Sequence, residues 1–131
     1  MADNPLILLV DDVADARDMY SQYLTFHGFR VIEASDGEAG FQQAQEFLPD
    51  LILMDLGMPR VDGWEATRRL KADPRTEHIP VIALSGFGPD ATARARAEGR
   101  AKFDALFLKP CPPPTILAKI RDVLNGRPRP D

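Results

Sequence analysis

Several polar residues of this chain stand where an apolar run stops. Leu6-Ile7-Leu8-Leu9-Val10 runs into Asp11 and Asp12, and Leu51-Ile52-Leu53-Met54 runs into Asp55. Val81-Ile82-Ala83-Leu84 ends on Ser85 and Gly86, and Ala105-Leu106-Phe107-Leu108 ends on Lys109 and Pro110. Apolar runs of this length without polar alternation suit strands buried on both faces, as in a parallel sheet covered by helices. In such a sheet the carboxyl ends lie along one edge, where open α/β sheets place their ligands. Carboxylates, a hydroxyl and an ammonium would converge there, with Asp55 at the centre because Leu56-Gly57-Met58-Pro59 forces a loop straight after it. Taken singly, each residue has a plainer use: Asp55 capping its own loop, Asp11 and Asp12 capping a helix, Ser85 in a turn, Lys109 on the surface. Four of five strands ending in this way favours a site over four coincidences.

The elements that must position these groups follow from periodicity. Ala16, Met19, Tyr20, Tyr23 and Leu24 recur at helical spacing and Gly28 stops them; Val31 and Ile32 make a short second strand. Phe41, Ala44, Phe47 and Leu48 predict a second helix, ended by Pro49. Asp62-Gly63 opens a third, with Trp64, Thr67 and Leu70 on one face and Asp73-Pro74 closing it. After Pro89-Asp90, Ala91, Ala93, Ala95 and Ala97 interleave with Arg94 and Arg96, a segment of high helix propensity and thin apolar face. Ile116, Leu117, Ile120, Val123 and Leu124 give the last helix a strong apolar face. Five strands alternating with five helices predict an α/β fold, a parallel sheet with helices on both sides.

Composition limits what such a fold is for. With 131 residues the chain reads as one domain over residues 1–126, and residues 127–131 as a disordered tail with nothing to bury. A net charge of -4 gives no general reason to expect nucleic-acid binding. Cys111 is the only cysteine, so an internal disulfide or a cysteine metal cluster is excluded. The acidic start, Met1-Ala2-Asp3-Asn4-Pro5, precedes an apolar stretch too short for a signal peptide or a membrane span, which predicts a soluble, cytoplasmic protein that does not engage membranes.

Leu9-Val10-Asp11-Asp12, Met54-Asp55-Leu56-Gly57-Met58-Pro59, Asp62-Gly63, Ile79-Pro80-Val81-Ile82-Ala83-Leu84-Ser85 and Leu108-Lys109-Pro110, in that order, resemble the receiver domains of two-component response regulators. The resemblance covers roughly residues 5 to 125 and is closest in kind to single-domain, chemotaxis-receiver-like regulators. It implies the flavodoxin-like strand order 2-1-3-4-5. It also implies that Asp55 accepts a phosphoryl group from a phosphohistidine, on a sensor histidine kinase or a histidine phosphotransfer protein. In the implied site Mg²⁺ is ligated by Asp12, Asp55 and the Gly57 carbonyl, with Asp11 acting through water. Lys109, Ser85 and the Gly86 N–H bind phosphate oxygens, and the Lys-Pro bond is cis. The physics agrees, since neighbouring strands lie about 4.8 Å apart and Mg²⁺ takes a few carboxylates plus water and phosphate oxygens. Lys109, roughly 10 Å from Asp55 across the sheet, needs a long side chain to reach it.

The same resemblance makes Ser85 a switch residue, paired with the position of Leu106, where many receivers carry a Tyr or Phe. Gly57 and Phe87 stand where acidic or amide side chains would orient a hydrolytic water. Lys102 stands where many members carry Gly. Nothing after Asn125 reads as a DNA-binding or enzymatic domain, so the signal is expected to leave through a downstream protein partner or by onward phosphotransfer. The expected docking face, around the fourth helix, carries Arg94, Arg96, Arg100 and Lys102, which could equally be a solvated helix face. Two other readings compete. A small aspartyl-phosphate phosphatase would want a second acid where Gly57 stands, and a phosphorylation-independent interaction module of the same fold would have little use for all the site residues.

Overall fold

The structure, a computed structural model, describes residues 4–56, 63–86 and 103–126. Its elements are β1 (Leu6–Val10), α1 (Ala14–Phe26), β2 (Arg30–Ala34), α2 (Gly37–Phe47), β3 (Leu51–Asp55), α3 (Gly63–Ala72), β4 (Val81–Ser85), β5 (Ala105–Leu108) and α4 (Pro113–Gly126). All strands are parallel, in the order β2-β1-β3-β4-β5. The flavodoxin-like order and the α/β class are therefore as expected. Of the five expected helices, four lie among the described residues; the alanine-arginine segment lies outside them.

The apolar runs are strands because both of their faces are covered. Leu8, Val10, Ile52, Met54, Val81 and Ala83 face α2 and α3, with Ala44, Ala66 and Leu70. Ile7, Leu9, Leu51, Leu53, Ile82 and Leu84 face the other way, toward Tyr20 and Leu24 of α1 and Ile116, Leu117 and Ile120 of α4. Each such side chain removed from water contributes about 1.5–3 kcal/mol. The central strands β1, β3 and β4 have no polar residue before their last position because both neighbouring layers are apolar.

Not every periodic residue turns inward. Met19, expected on the core stripe of α1, is exposed, and so are Phe47 and Leu48 at the end of α2. Leu48 caps α2 in the left-handed region at φ 46°, so the chain leaves the helix one residue before the expected Pro49, and its side chain leaves the stripe. Gly28 follows α1 at φ +94°, a conformation that favours glycine. Trp64 is partly buried on the α2/α3 side, its ring set edge-on to Phe103 with centroids 5.2 Å apart, as a helix-to-sheet packing residue should be.

Two aspartates stitch the amino edge of the sheet. The Asp50 carboxylate accepts from the Leu6 N–H at 2.7 Å while its own N–H donates to the Leu6 carbonyl at 2.8 Å. Asp104 repeats the device at Val81, with both bonds 2.8 Å long, and Lys71 of α3 reaches Asp104 at 3.8 Å and donates to the Ile79 carbonyl at 2.7 Å. Each satisfies the first N–H of a strand that has no neighbour to do so, which sets where β1 and β4 begin.

Candidate phosphoacceptor and cation site

Register decides which groups meet. Val10 pairs with Met54 and Asp55 with Leu84, so Asp11 and Asp55 stand side by side at the carboxyl edge. Side chains alternate across a strand. Asp11, Asp55 and Lys109 each lie two residues beyond Leu9, Leu53 and Phe107, all of which belong to the α1/α4 side of the core. All three therefore turn to the same side of the sheet. Ser85 lies two residues beyond Ala83, on the opposite side.

Asp11 is 1% exposed and Asp55 4%, while Asp12 is exposed. One carboxylate oxygen from each lies within 4.8 Å of the others. The Lys109 ammonium reaches 3.1 Å from Asp55 Oδ1 and 3.8 Å from Asp11 Oδ2. It does so from β5, two strands away from β3, as the length of a lysine side chain permits. The Lys109 N–H donates to the Ser85 carbonyl at 2.7 Å, and the Lys109-Pro110 bond is cis. Ser85 is fully buried at the end of β4, and Gly86 beyond it is exposed with open space where a Cβ would stand.

Asp11 is held firmly. Its N–H donates to the Ala34 carbonyl at 3.1 Å, and its carbonyl accepts from Arg17 Nη1 at 2.7 Å. Oδ1 accepts from the Val13 N–H at 2.9 Å, an Asx turn that leads into α1. Arg17 also pairs with Glu33 of β2 at 3.3 Å, tying the loop to the edge strand. Burial pushes the Asp11 carboxyl above its ordinary range. The Val13 hydrogen bond opposes that shift, the Asp55 charge adds to it, Lys109 lowers it and Asp12 raises it.

Asp11 Oδ2 is buried and has no hydrogen-bond partner among the described residues. A buried carboxylate oxygen without a donor, in a group of three carboxylates facing one ammonium, fits a hard divalent cation that prefers oxygen ligands. Charge points the same way: among the described residues, three carboxylates lie together at one edge with the Lys109 ammonium beside two of them. Asp11, Asp12 and Asp55 are the residues that would hold it.

Of the expected site residues, Asp11, Asp12, Asp55, Ser85, Gly86 and Lys109 are brought to this edge. Gly57, Phe87 and the four basic residues Arg94, Arg96, Arg100 and Lys102 lie outside the described residues. Leu106 is partly buried and packs against the α2/α3 side of the core, where Trp64 and Phe103 also pack. Periodicity had marked Tyr20 as a core residue of α1, but not as a hydrogen-bond donor. Its hydroxyl donates to the Cys111 carbonyl at 3.3 Å. Arg17 carries no local sequence signal because its partners are a backbone carbonyl and a residue of β2.

Residues 7–121 match the family described as Response regulator receiver domain. The chain is 36% identical over 121 residues to the DNA-binding dual master transcriptional regulator RpaA of Synechocystis sp. (strain ATCC 27184 / PCC 6803 / Kazusa), covering 92% of this chain and 49% of that protein. It is also 36% identical over 121 residues to the response regulator PleD of Caulobacter vibrioides, covering 89% of this chain and 25% of that protein. The chain thus spans half or less of the length of these curated relatives. Among solved structures, the chemotaxis protein CheY4 of Vibrio cholerae superposes with a TM-score of 0.80 at 27% identity, over 92% of this chain and 98% of that one. The receiver domain of sensor histidine kinase PA1611 from Pseudomonas aeruginosa PAO1, which has a magnesium ion coordinated in its active-site cleft, superposes with a TM-score of 0.85 at 25% identity, over 94% of this chain and 99% of that one. Among the described residues, no helix is long and apolar enough to cross a membrane.

Proposed function

Because the chain belongs to the response regulator receiver domains, we propose that it takes a phosphoryl group onto Asp55 from a phosphohistidine of a sensor histidine kinase or histidine phosphotransfer protein. The observation that carries this is the Lys109 ammonium 3.1 Å from an Asp55 oxygen, beside two further carboxylates. An aspartate kept for folding alone would gain nothing from two like charges at its side. In the transfer, an Asp55 oxygen forms a bond to phosphorus as the donor's nitrogen–phosphorus bond breaks, and the departing imidazole nitrogen takes up a proton from water. Mg²⁺, held by Asp12, Asp55 and the Gly57 carbonyl with Asp11 acting through water, would supply neutralisation of charge on the transferring group. Lys109 binds an oxygen of that group, and the Ser85 hydroxyl and Gly86 N–H bind the others, so positioning and electrostatics do most of the work.

The charge added at Asp55 then draws on Ser85, and the rearrangement is read by a downstream protein partner or passed on by further transfer. In this reading Leu106 responds through packing, having no ring hydroxyl to exchange. Arg94, Arg96, Arg100 and Lys102 give the docking face its basic character. Incubation with labelled acetyl phosphate and Mg²⁺ tests the reading. Label is expected on the wild type and absent from Asp55→Asn and from wild type in EDTA; label on Asp55→Asn, or undiminished by EDTA, overturns it.

A further inference from the structure

The connection from β5 to α4 carries Lys109 and is stiffer than a loop needs to be. Pro110, Pro112, Pro113 and Pro114 have φ fixed by their rings, and none has an N–H to offer. Cys111 is the one residue between Pro110 and Pro114 whose φ is free to turn. That residue is held from α1, where the Tyr20 hydroxyl donates to its carbonyl at 3.3 Å across 91 positions of sequence. Tyr20 is 6% exposed and sits in the α1/α4-side core with Leu9, Leu53 and Ile116, and Cys111 packs against the same cluster. On its other side Lys109 is held by β4, its N–H donating to the Ser85 carbonyl at 2.7 Å. The lysine backbone is thus fixed from both directions, and its ammonium stands 3.1 Å from Asp55.

We propose that Tyr20 is a positioning residue of the phosphoryl-transfer site, its hydroxyl holding the Cys111 carbonyl so that the proline-stiffened arm keeps Lys109 on Asp55. This rests on the reading of Asp55 as phosphoryl acceptor. Phenylalanine would fill nearly the same volume; among the described residues, what the hydroxyl adds is the bond to the arm. Losing it frees the arm at its one flexible residue, and small displacements of a charge-bearing group near a reacting centre are costly.

Tyr20→Phe keeps the ring and removes the donor. Labelling of Asp55 by acetyl phosphate at saturating Mg²⁺ is compared in wild type, Tyr20→Phe, Lys109→Ala and the double variant, with Mg²⁺ affinity measured by calorimetry and the Lys109 ammonium resonance by NMR. Tyr20→Phe is expected to label about five-fold more slowly, the scale of one neutral hydrogen bond. Mg²⁺ affinity should be unchanged, the ammonium resonance should move toward that of a free lysine, and no further loss should appear in the Lys109→Ala background. Equal rates in wild type and Tyr20→Phe overturn the positioning role alone. So does an unmoved resonance, or the same loss without Lys109, which would mark a general effect on packing. A wild type that takes no label overturns the acceptor reading and this proposal with it.

Discussion

Neutralising Asp11 probes the electrostatics of the cluster without any phosphoryl donor. One oxygen each of Asp11, Asp12 and Asp55 lie within 4.8 Å of one another, so at an effective dielectric constant of about 20 each like-charged pair costs about 3.5 kcal/mol. Lys109, 3.8 Å from Asp11 Oδ2, returns about 4 kcal/mol on the same scale. The Asp55 repulsion and the Lys109 attraction thus nearly cancel, and solvent screens the exposed Asp12. What remains is the buried Oδ2 without a hydrogen bond, a penalty of about 1–3 kcal/mol. Asp11→Asn keeps the Oδ1 acceptor for Val13 and turns the orphaned oxygen into a donor in a cluster that still holds two carboxylates. It should therefore stabilise the metal-free protein at neutral pH by about 1–2 kcal/mol, or about 5 °C in Tm. The pH dependence has a definite sign. The folded pKa of Asp11 is raised above its ordinary 3.8, so the folded state binds more protons and the wild type loses stability as pH rises through the folded value. The advantage of Asp11→Asn should vanish well below that ordinary value and be complete above the folded one. Mg²⁺ should erode that advantage, since at about ten times its Kd it adds about 1.4 kcal/mol to a chain that binds it and less to one that has lost a ligand. Thermal unfolding followed by circular dichroism, in EDTA and in Mg²⁺, measures all of this. A variant less stable than wild type in EDTA at neutral pH refutes the reasoning.

Gly63 opens α3 with its Cα against the end of β3, where a Cβ would stand 2.8 Å from Leu56 Cα and 2.9 Å from the Asp55 carbonyl carbon. Gly63→Ala should therefore cost about 2–3 kcal/mol in urea unfolding, despite its better helix propensity, and should slow labelling by shifting Asp55; unchanged stability would sink this. Thr67 of α3 is fully buried and its hydroxyl has no hydrogen-bond partner among the described residues, so Thr67→Val should be stabilising by about 1 kcal/mol, and a loss on the same assay would mean that the hydroxyl is used. Gly57 offers hydrolytic water no side-chain hydrogen bond and Phe87 offers it only an apolar ring. Phosphorylated wild type should therefore lose label from Asp55 more slowly than a Gly57→Asn, Phe87→Glu variant, and equal rates would show that neither position governs hydrolysis.

How far the sequence carries depends on whether a residue's partner is local. The strands were legible because the parallel central strands are buried on both faces, and a run such as Leu51-Ile52-Leu53-Met54 has no other use in a chain of this length. The edge where Asp11, Asp55, Ser85 and Lys109 meet followed from where those runs stop. Helix faces were read less well at their ends: the period of Phe41 and Ala44 continues through Phe47 and Leu48, yet Leu48 turns left-handed and both side chains face solvent. Partnerships between distant residues left no local mark. Asp50 and Asp104 each serve the first residue of a strand other than the one they precede, and the Tyr20 hydroxyl meets a backbone carbonyl 91 positions away in the sequence. Part of the site's handedness was nevertheless available. Once the runs are taken as strands, alternation alone sends Asp11, Asp55 and Lys109 to the side of Leu9, Leu53 and Phe107, and Ser85 to the side of Ala83. A phosphoryl group on Asp55 would then have Lys109 on its own side of the sheet and Ser85 on the other, so the two cannot substitute for each other. On the proposed reading Lys109 would neutralise charge where it develops and Ser85 would respond from across the pleat, a division of labour set by which residue of each run happens to be last.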